Sequence, residues 1–297
     1  MSNKQADYLS SVGGFSPSAR FLPVLIGLGA ILAAAVTGCG ERPMEDDVVS
    51  YVSELVRGDF LRRVTAAEEL SRVVDENDVV AVPYLIEALA EPREMYQRYS
   101  ARALGRIGCY SAIPALIRAT RDESDYVRYD AALALGGMDD RRVHRALIEA
   151  LRDESSYVRW AAAESLGALR AEEAYPRLVS GLRDSSSFVR SASANALGRI
   201  GDEAAIPDLR SSLFDRNLWV RNAAARALAL LGDNAGIPVL IRNLESTARE
   251  RDQMVRAQAA EFLREATGED FGFDPHGTDA ERREAIRRWE SWWQERR

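Results

Sequence analysis

Lysine is almost missing from this 297-residue chain: Lys4 stands alone, and the other 38 basic residues are arginine. Beyond residue 4 there is no amine for a Schiff base, a phosphate-binding loop or general-base work. Histidine and cysteine are scarce as well, with His144, His276, Cys39 and Cys109 the full set. That inventory excludes most metal sites built on imidazole and thiolate. Positive charge is also in deficit, the net being −7, so the basic stripe that a nucleic-acid binder sets against phosphates is not expected. What the chain does have is 46% hydrophobic and 29% charged residues. That apolar content suits one large folded body or a repeat array rather than a disordered polymer.

The long apolar run lies at 21–37, from Phe21 to Thr37, and leads through Gly38 into Cys39. It is short for a bilayer span and suits the apolar core of a signal peptide. Val36-Thr37-Gly38-Cys39 resembles the lipobox of bacterial lipoproteins. The resemblance implies cleavage before Cys39, lipidation of Cys39, and a membrane-anchored place in the bacterial cell envelope. The removed segment carries Lys4, Arg20 and Asp7, so the mature chain would have a net charge of −8. Several acyl chains on one cysteine suffice for stable anchoring. An uncleaved N-terminal helix is the alternative, and it too would hold the body at a membrane surface. Processing would leave Cys109 as the one free thiol, with no internal disulfide to staple the fold.

A fixed period fills the middle of the chain. Leu104, Leu135, Leu166, Leu197 and Leu228 fall 31 residues apart, as do Leu116, Leu147, Leu178, Leu209 and Leu240. Gly105, Gly136, Gly167 and Gly198 follow the first series directly. Pro83, Pro114, Pro176, Pro207 and Pro238 keep the same step, with Arg145 where one proline is missing. Within a unit, Val158, Ala162 and Leu166 make an apolar stripe at helical spacing. Ser155 or Ser156 is expected to cap that helix and Gly167 to stop it. A second helix is expected from about Glu173, with Pro176 in its first turn and Leu178 and Leu182 inside. Such a helix pair buries its apolar faces only by stacking on its neighbours.

The step Asp-x5-Arg recurs as Asp122/Arg128, Asp153/Arg159, Asp184/Arg190 and Asp215/Arg221. With it the chain resembles the HEAT-like repeats of phycobilisome lyases. The resemblance implies an all-α fold, a right-handed α-solenoid of stacked antiparallel helix pairs, in which these Asp and Arg side chains form a structural ladder between units. The expected organisation is a signal peptide at 1–38, a linker at 39–45, a lone leading helix at 46–58, about seven repeats over 59–266, and a C-terminal cap at 267–297. That last segment carries Thr267-Gly268, Phe271-Gly272, Asp274-Pro275 and the cluster Trp289, Trp292 and Trp293. It resembles the ending of some bacterial HEAT-repeat proteins. Ile286, Trp289 and Trp293 share a helical face suited to covering the last repeat.

Candidate binding residues are fewer. Tyr126, Tyr157, Phe188 and Trp219 precede the Val-Arg pair of each unit and are expected to interlock as packing. The residue after the seam arginine varies and is expected to point outward, leaving Tyr129 and Trp160 as a candidate partner surface. Arg121, Arg152 and Arg183 form a short cationic row, again 31 apart, able to engage an acidic peptide or headgroup. No His-Glu pair of the deoxyhypusine hydroxylase kind is present, since Arg145 follows His144 and Gly277 follows His276. Cys109, in a turn with no neighbouring histidine in sequence, is expected to be an incidental thiol. The reading is a non-catalytic scaffold for protein or peptide partners, with no cofactor, no metal and no nucleic acid. A bilin-lyase-like enzyme and a purely structural envelope spacer stay open as alternatives.

Overall fold

The computed structural model of the protein describes residues 46–73, 81–245 and 250–296. The proposed signal segment, Cys39 and the linker to residue 45 lie outside the described residues. The chain divides into two compact units, Met1–Val49 and Ser50–Arg297, and the second carries the repeats. Every regular element among the described residues is helical, and none of these helices is long and apolar enough to cross a membrane.

After α1 (Asp46–Arg57) the helices alternate in chain order between a first and a second member. They are α2 (Phe60–Val73) and α3 (Val82–Leu89), α4 (Glu94–Ile107) and α5 (Ile113–Ala119), α6 (Asp125–Leu135) and α7 (Arg141–Ala150), and α8 (Ser156–Ala168) and α9 (Tyr175–Gly181). The series continues with α10 (Ser187–Ile200) and α11 (Ile206–Ser212), α12 (Leu218–Leu230) and α13 (Ile237–Leu244), and α14 (Glu250–Thr267) and α15 (Asp279–Gln294). The first members α2, α4, α6, α8, α10, α12 and α14 pack side by side in that order. Each short second helix from α3 to α13 lies closest to the first helix that follows it, so the tightest pairing straddles the unit boundary read from the sequence. Helix α15 takes the second-helix place of the seventh unit and packs on α13.

Both leucine series are fully buried from end to end, and each such side chain contributes roughly 1.5–3 kcal/mol of burial. The first helices are otherwise rich in alanine and glycine, which lets them approach closely. A Cβ added at Gly167 would stand 2.7 Å from the Ala196 Cα of the next first helix, and Gly105 and Gly198 meet Ala134 and Ala227 in the same way. Gly167 is therefore a packing residue inside α8, which runs on to Ala168, and not the stop expected of it. The left-handed stops are one residue series further on, at Gly108 (φ 67°) and Gly201 (φ 86°).

Proline starts the second helices. Pro83, Pro114, Pro176, Pro207 and Pro238 each sit in a first turn, where the missing N–H leaves no bond unmade. In the unit where Arg145 replaces proline, Asp140 caps α7 by accepting the Arg142 N–H at 2.7 Å, and the helix begins earlier and is longer. Ser155 does occupy the N-cap of α8, but its hydroxyl turns away from that helix. It donates instead to Asp125 of the preceding unit at 3.0 Å. The Ser155 N–H is taken by Asp153 at 2.9 Å.

Candidate functional site

The seam between units is built from one arginine and one aspartate used in two directions. Arg128 donates from Nε and Nη2 to the two carboxylate oxygens of Asp153, at 2.8 and 2.9 Å. Its remaining Nη1 donates to the backbone carbonyls of Asp122 and Glu123. Arg159 repeats this with Asp184 and Arg190 with Asp215, each partner lying 25 residues ahead rather than in the Asp-x5-Arg step itself. Within the step, the arginine holds the aspartate's carbonyl while the aspartate's carboxylate fixes its own loop. Burial pushes the Asp184 carboxyl up, but the Arg159 guanidinium and the Ser186 N–H outweigh it and hold the group below its ordinary value. Asp215 is lowered in the same balance, against Arg190 and Asn217.

The ends of the ladder depart from this pattern. Gln97 replaces the arginine and still donates to Asp122 at 2.8 Å. Arg63 meets Glu91. Arg221 faces the amide oxygen of Asn243 at 3.2 Å instead of a carboxylate, and burial lowers its pKa. Asn243 in turn donates to Asn222 at 2.7 Å, and Asn222 donates to the Val255 carbonyl at 3.0 Å.

Asn222 is fully buried, so the position after the seam arginine does not point outward throughout. At the same position Tyr129 and Trp160 are half-buried and stack on each other, with ring centroids 6.0 Å apart. Beside them Asp130 is buried and salt-bridged to Arg98 at 2.8 Å. Burial pushes the Asp130 carboxyl up, and the Arg98 and Arg102 guanidiniums offset part of that. The cationic row is largely spent: Arg121 pairs with Glu149 at 2.9 Å and Arg183 with Asp208 at 2.8 Å. Arg152 is exposed between them, and all three follow the second helices rather than lying on them.

The aromatics read as packing are the ones that stand in solvent. Tyr126 is 52% exposed, Tyr157 63% and Phe188 68%, while Trp219 is half-buried. Each is the second residue of its helix, α6, α8, α10 or α12. Leu61 and Met95 hold the same place in α2 and α4, and both are exposed. Side chains on a helix lean toward its N-terminus, so at the second position they lean past the end, where no earlier turn covers them. The result is a row of large apolar side chains, one per unit.

At the C-terminal end Trp289 is buried, edge-on to Phe271 at 4.7 Å and to Trp292 at 5.7 Å. Trp292 and Trp293 are half-buried, and Trp292 donates to Glu269 at 3.3 Å. His144, a residue the sequence reading passed over, is buried between Glu173 at 2.9 Å and Asp139 at 3.1 Å across a unit boundary. Cys109 Sγ lies 3.1 Å from the Ser111 hydroxyl. Among the described residues no three His, Cys, Asp or Glu side chains come together as a metal-holding group.

Comparison with known proteins bears on the fold. No curated protein matches the sequence. In solved structures, the complex of CpcE and CpcF of phycocyanin lyase from Nostoc sp. PCC7120 is similar with a TM-score of 0.53 and 23% identity, over 86% of this chain and 99% of that one. YibA of Escherichia coli is similar with a TM-score of 0.51 and 19% identity, over 94% and 98% of the two chains. An engineered protein aligns with a TM-score of 0.51 and 23% identity, over 63% of this chain and 99% of its own. At these identities the likeness is one of fold: stacked helical repeats. The sequence profile of HEAT repeats matches residues 82–153, 120–197, 144–219 and 189–264. With the 31-residue period, the ladder and these matches over most of its length, the chain belongs to the HEAT-repeat family.

Proposed function

We propose that this HEAT-repeat chain is a non-catalytic scaffold for protein partners, held at the bacterial envelope by a lipid on Cys39. The observation that carries the scaffold reading is the exposed apolar row of Leu61, Met95, Tyr126, Tyr157 and Phe188, the last three on helices joined by buried ion pairs. Large contiguous apolar patches on a monomer mark interaction sites, and this row sets one large apolar side chain in solvent on successive units. A rigid array presents it with little ordering cost on binding. The lipid reading rests on Val36-Thr37-Gly38-Cys39 after the apolar run at 21–37.

The test is intact mass and membrane fractionation of the natively expressed chain beside Cys39→Ser, followed by crosslinking with residue-level mapping. A mass of residues 39–297 plus acyl chains, lost in the serine variant, and crosslinks that fall on the repeats are the expected results. A full-length, unlipidated chain away from the membrane overturns the anchor. An absence of mapped crosslinks under conditions that capture a control envelope complex overturns the scaffold.

A further inference from the structure

The exposed row also carries information about the chemistry of what it meets. Next to Tyr126 lies an open recess of about 520 Å³ whose walls include Glu94, Glu123, Asp125 and Glu154. Its lining cation, Arg128, is engaged by both oxygens of Asp153 and also reaches Glu154 at 3.4 Å, so the four lining carboxylates still outnumber it. Two of these carboxylates are held in place by neutral donors. Ser124 Oγ donates to Glu94 at 2.9 Å, and Ser155 Oγ donates to Asp125 at 3.0 Å. Hydroxyls orient a carboxylate without neutralising it, and an oriented anion at a surface is a ready partner for an incoming cation.

The aromatic rings suit the same ligand. The Arg98 guanidinium sits 4.8 Å from the Tyr126 ring centroid, so a ring of the row already accepts a guanidinium on its face. Arg98 itself is committed to Asp130 at 2.8 Å, with Glu94 of the recess 4.0 Å away. Tyr157 and Phe188 stand one and two units further along and are more exposed. Packed helices lie about 9 Å apart, which sets the repeat of the row. A polyproline-II segment advances ~3.1 Å per residue with three residues per turn, so every third side chain falls on one face about 9 Å from the last.

We propose that the row binds an extended cationic polypeptide in polyproline-II form, with arginine or lysine at every third position laid against the aromatic rings and one of them reaching the recess carboxylates beside Tyr126. This rests on the scaffold reading and names its partner's chemistry.

The probe is fluorescein-labelled (Arg-Pro-Pro)4, titrated by anisotropy with the full chain in non-ionic detergent. A peptide of the same composition with its arginines contiguous, and (Glu-Pro-Pro)4, are the controls. Saturable binding of the first is expected, with the contiguous peptide about fivefold weaker and the acidic peptide inert. The triple variant Tyr126→Ala, Tyr157→Ala, Phe188→Ala should weaken binding at least about tenfold with an unchanged helical spectrum, since these side chains leave no cavity. Glu123→Gln with Glu154→Gln should weaken it and flatten its salt dependence. Equal binding of both arginine peptides, or binding indifferent to the triple variant, overturns the proposal. So does self-association that the triple variant abolishes, which assigns the row to a second copy. Mapped crosslinks on another face with no peptide binding overturn this proposal and leave the scaffold standing, whereas loss of both overturns the two together.

Discussion

Replacing Arg128 with alanine tests whether the seam ion pairs couple the units. The substitution removes five hydrogen bonds, the longest to Glu154 at 3.4 Å, and leaves the Asp153 carboxylate, with a side chain only 12% exposed, facing two orphaned carbonyls. Breaking a buried ion pair by deleting one partner costs about 3–5 kcal/mol. Because both side chains keep a little solvent contact, the low end, about 3 kcal/mol, is expected. Arg221→Ala is the internal control. Its guanidinium donates to the Asp215 carbonyl and the Asn243 amide oxygen, both neutral, so about 1.5 kcal/mol is expected. In a one-dimensional array a weakened seam also lowers cooperativity. All five tryptophans, from Trp160 to Trp293, lie C-terminal to the Arg128–Asp153 seam. Urea unfolding followed by tryptophan emission should thus report only the C-terminal side, while circular dichroism reports the whole. The two transitions should coincide in the wild type and in Arg221→Ala, and separate in Arg128→Ala. A cost below about 1 kcal/mol, or a cost no greater than that of Arg221→Ala, refutes the account of the seam.

Two further outcomes follow from the same geometry. Gly167→Ala should cost roughly 1–3 kcal/mol in chemical denaturation, because its Cβ would press on the backbone of Ala196 at 2.7 Å. Gly137→Ala, where an added Cβ meets nothing within 4 Å, should be neutral or stabilising by up to about 1 kcal/mol. Asp184 and Asp215 have folded pKa values below their ordinary ones, so the stability they supply is fully present above the unfolded value and is lost as pH falls through the folded one. The wild-type Tm should therefore drop steeply below about pH 4. Asp184→Asn with Asp215→Asn should start from a lower Tm at pH 7 and fall less steeply; a parallel fall would refute the assignment.

The architecture was legible because each 31-residue step returns a residue to the same surroundings, which is why Leu104 and Leu228 are buried alike. Period by itself does not say whether that place is inside or outside. Tyr126, Tyr157 and Phe188 repeat as strictly as the leucines, yet they stand in solvent because each is the second residue of a helix. The signal was available: every unit from α4 to α12 has a large apolar residue one place before a buried tyrosine or valine, Tyr96, Val127, Val158, Val189 or Val220. That the ladder joins neighbouring units came with the family resemblance; which aspartate answers which arginine did not. Asp122 and Arg128 are neighbours in sequence, but the geometry joins Arg128 to Asp153, and only the stacking of units creates that pair. Likewise Tyr129 and Trp160 meet only across a seam, where they stack on each other.

Interchangeable joints affect how such a molecule can change its length over generations. The Arg128, Arg159 and Arg190 seams are alike in partner, spacing and backbone contacts, so excising or duplicating one 31-residue block among them would leave every remaining joint intact. The far end offers no such freedom, since α15 turns Arg283, Glu284, Arg287 and Arg288 to solvent, and another unit stacked there would have to bury them. Growth and shrinkage among these seams would therefore come in whole steps. Each step would add or remove one side chain of the apolar row, so the length of what the row can hold would vary in the same whole steps.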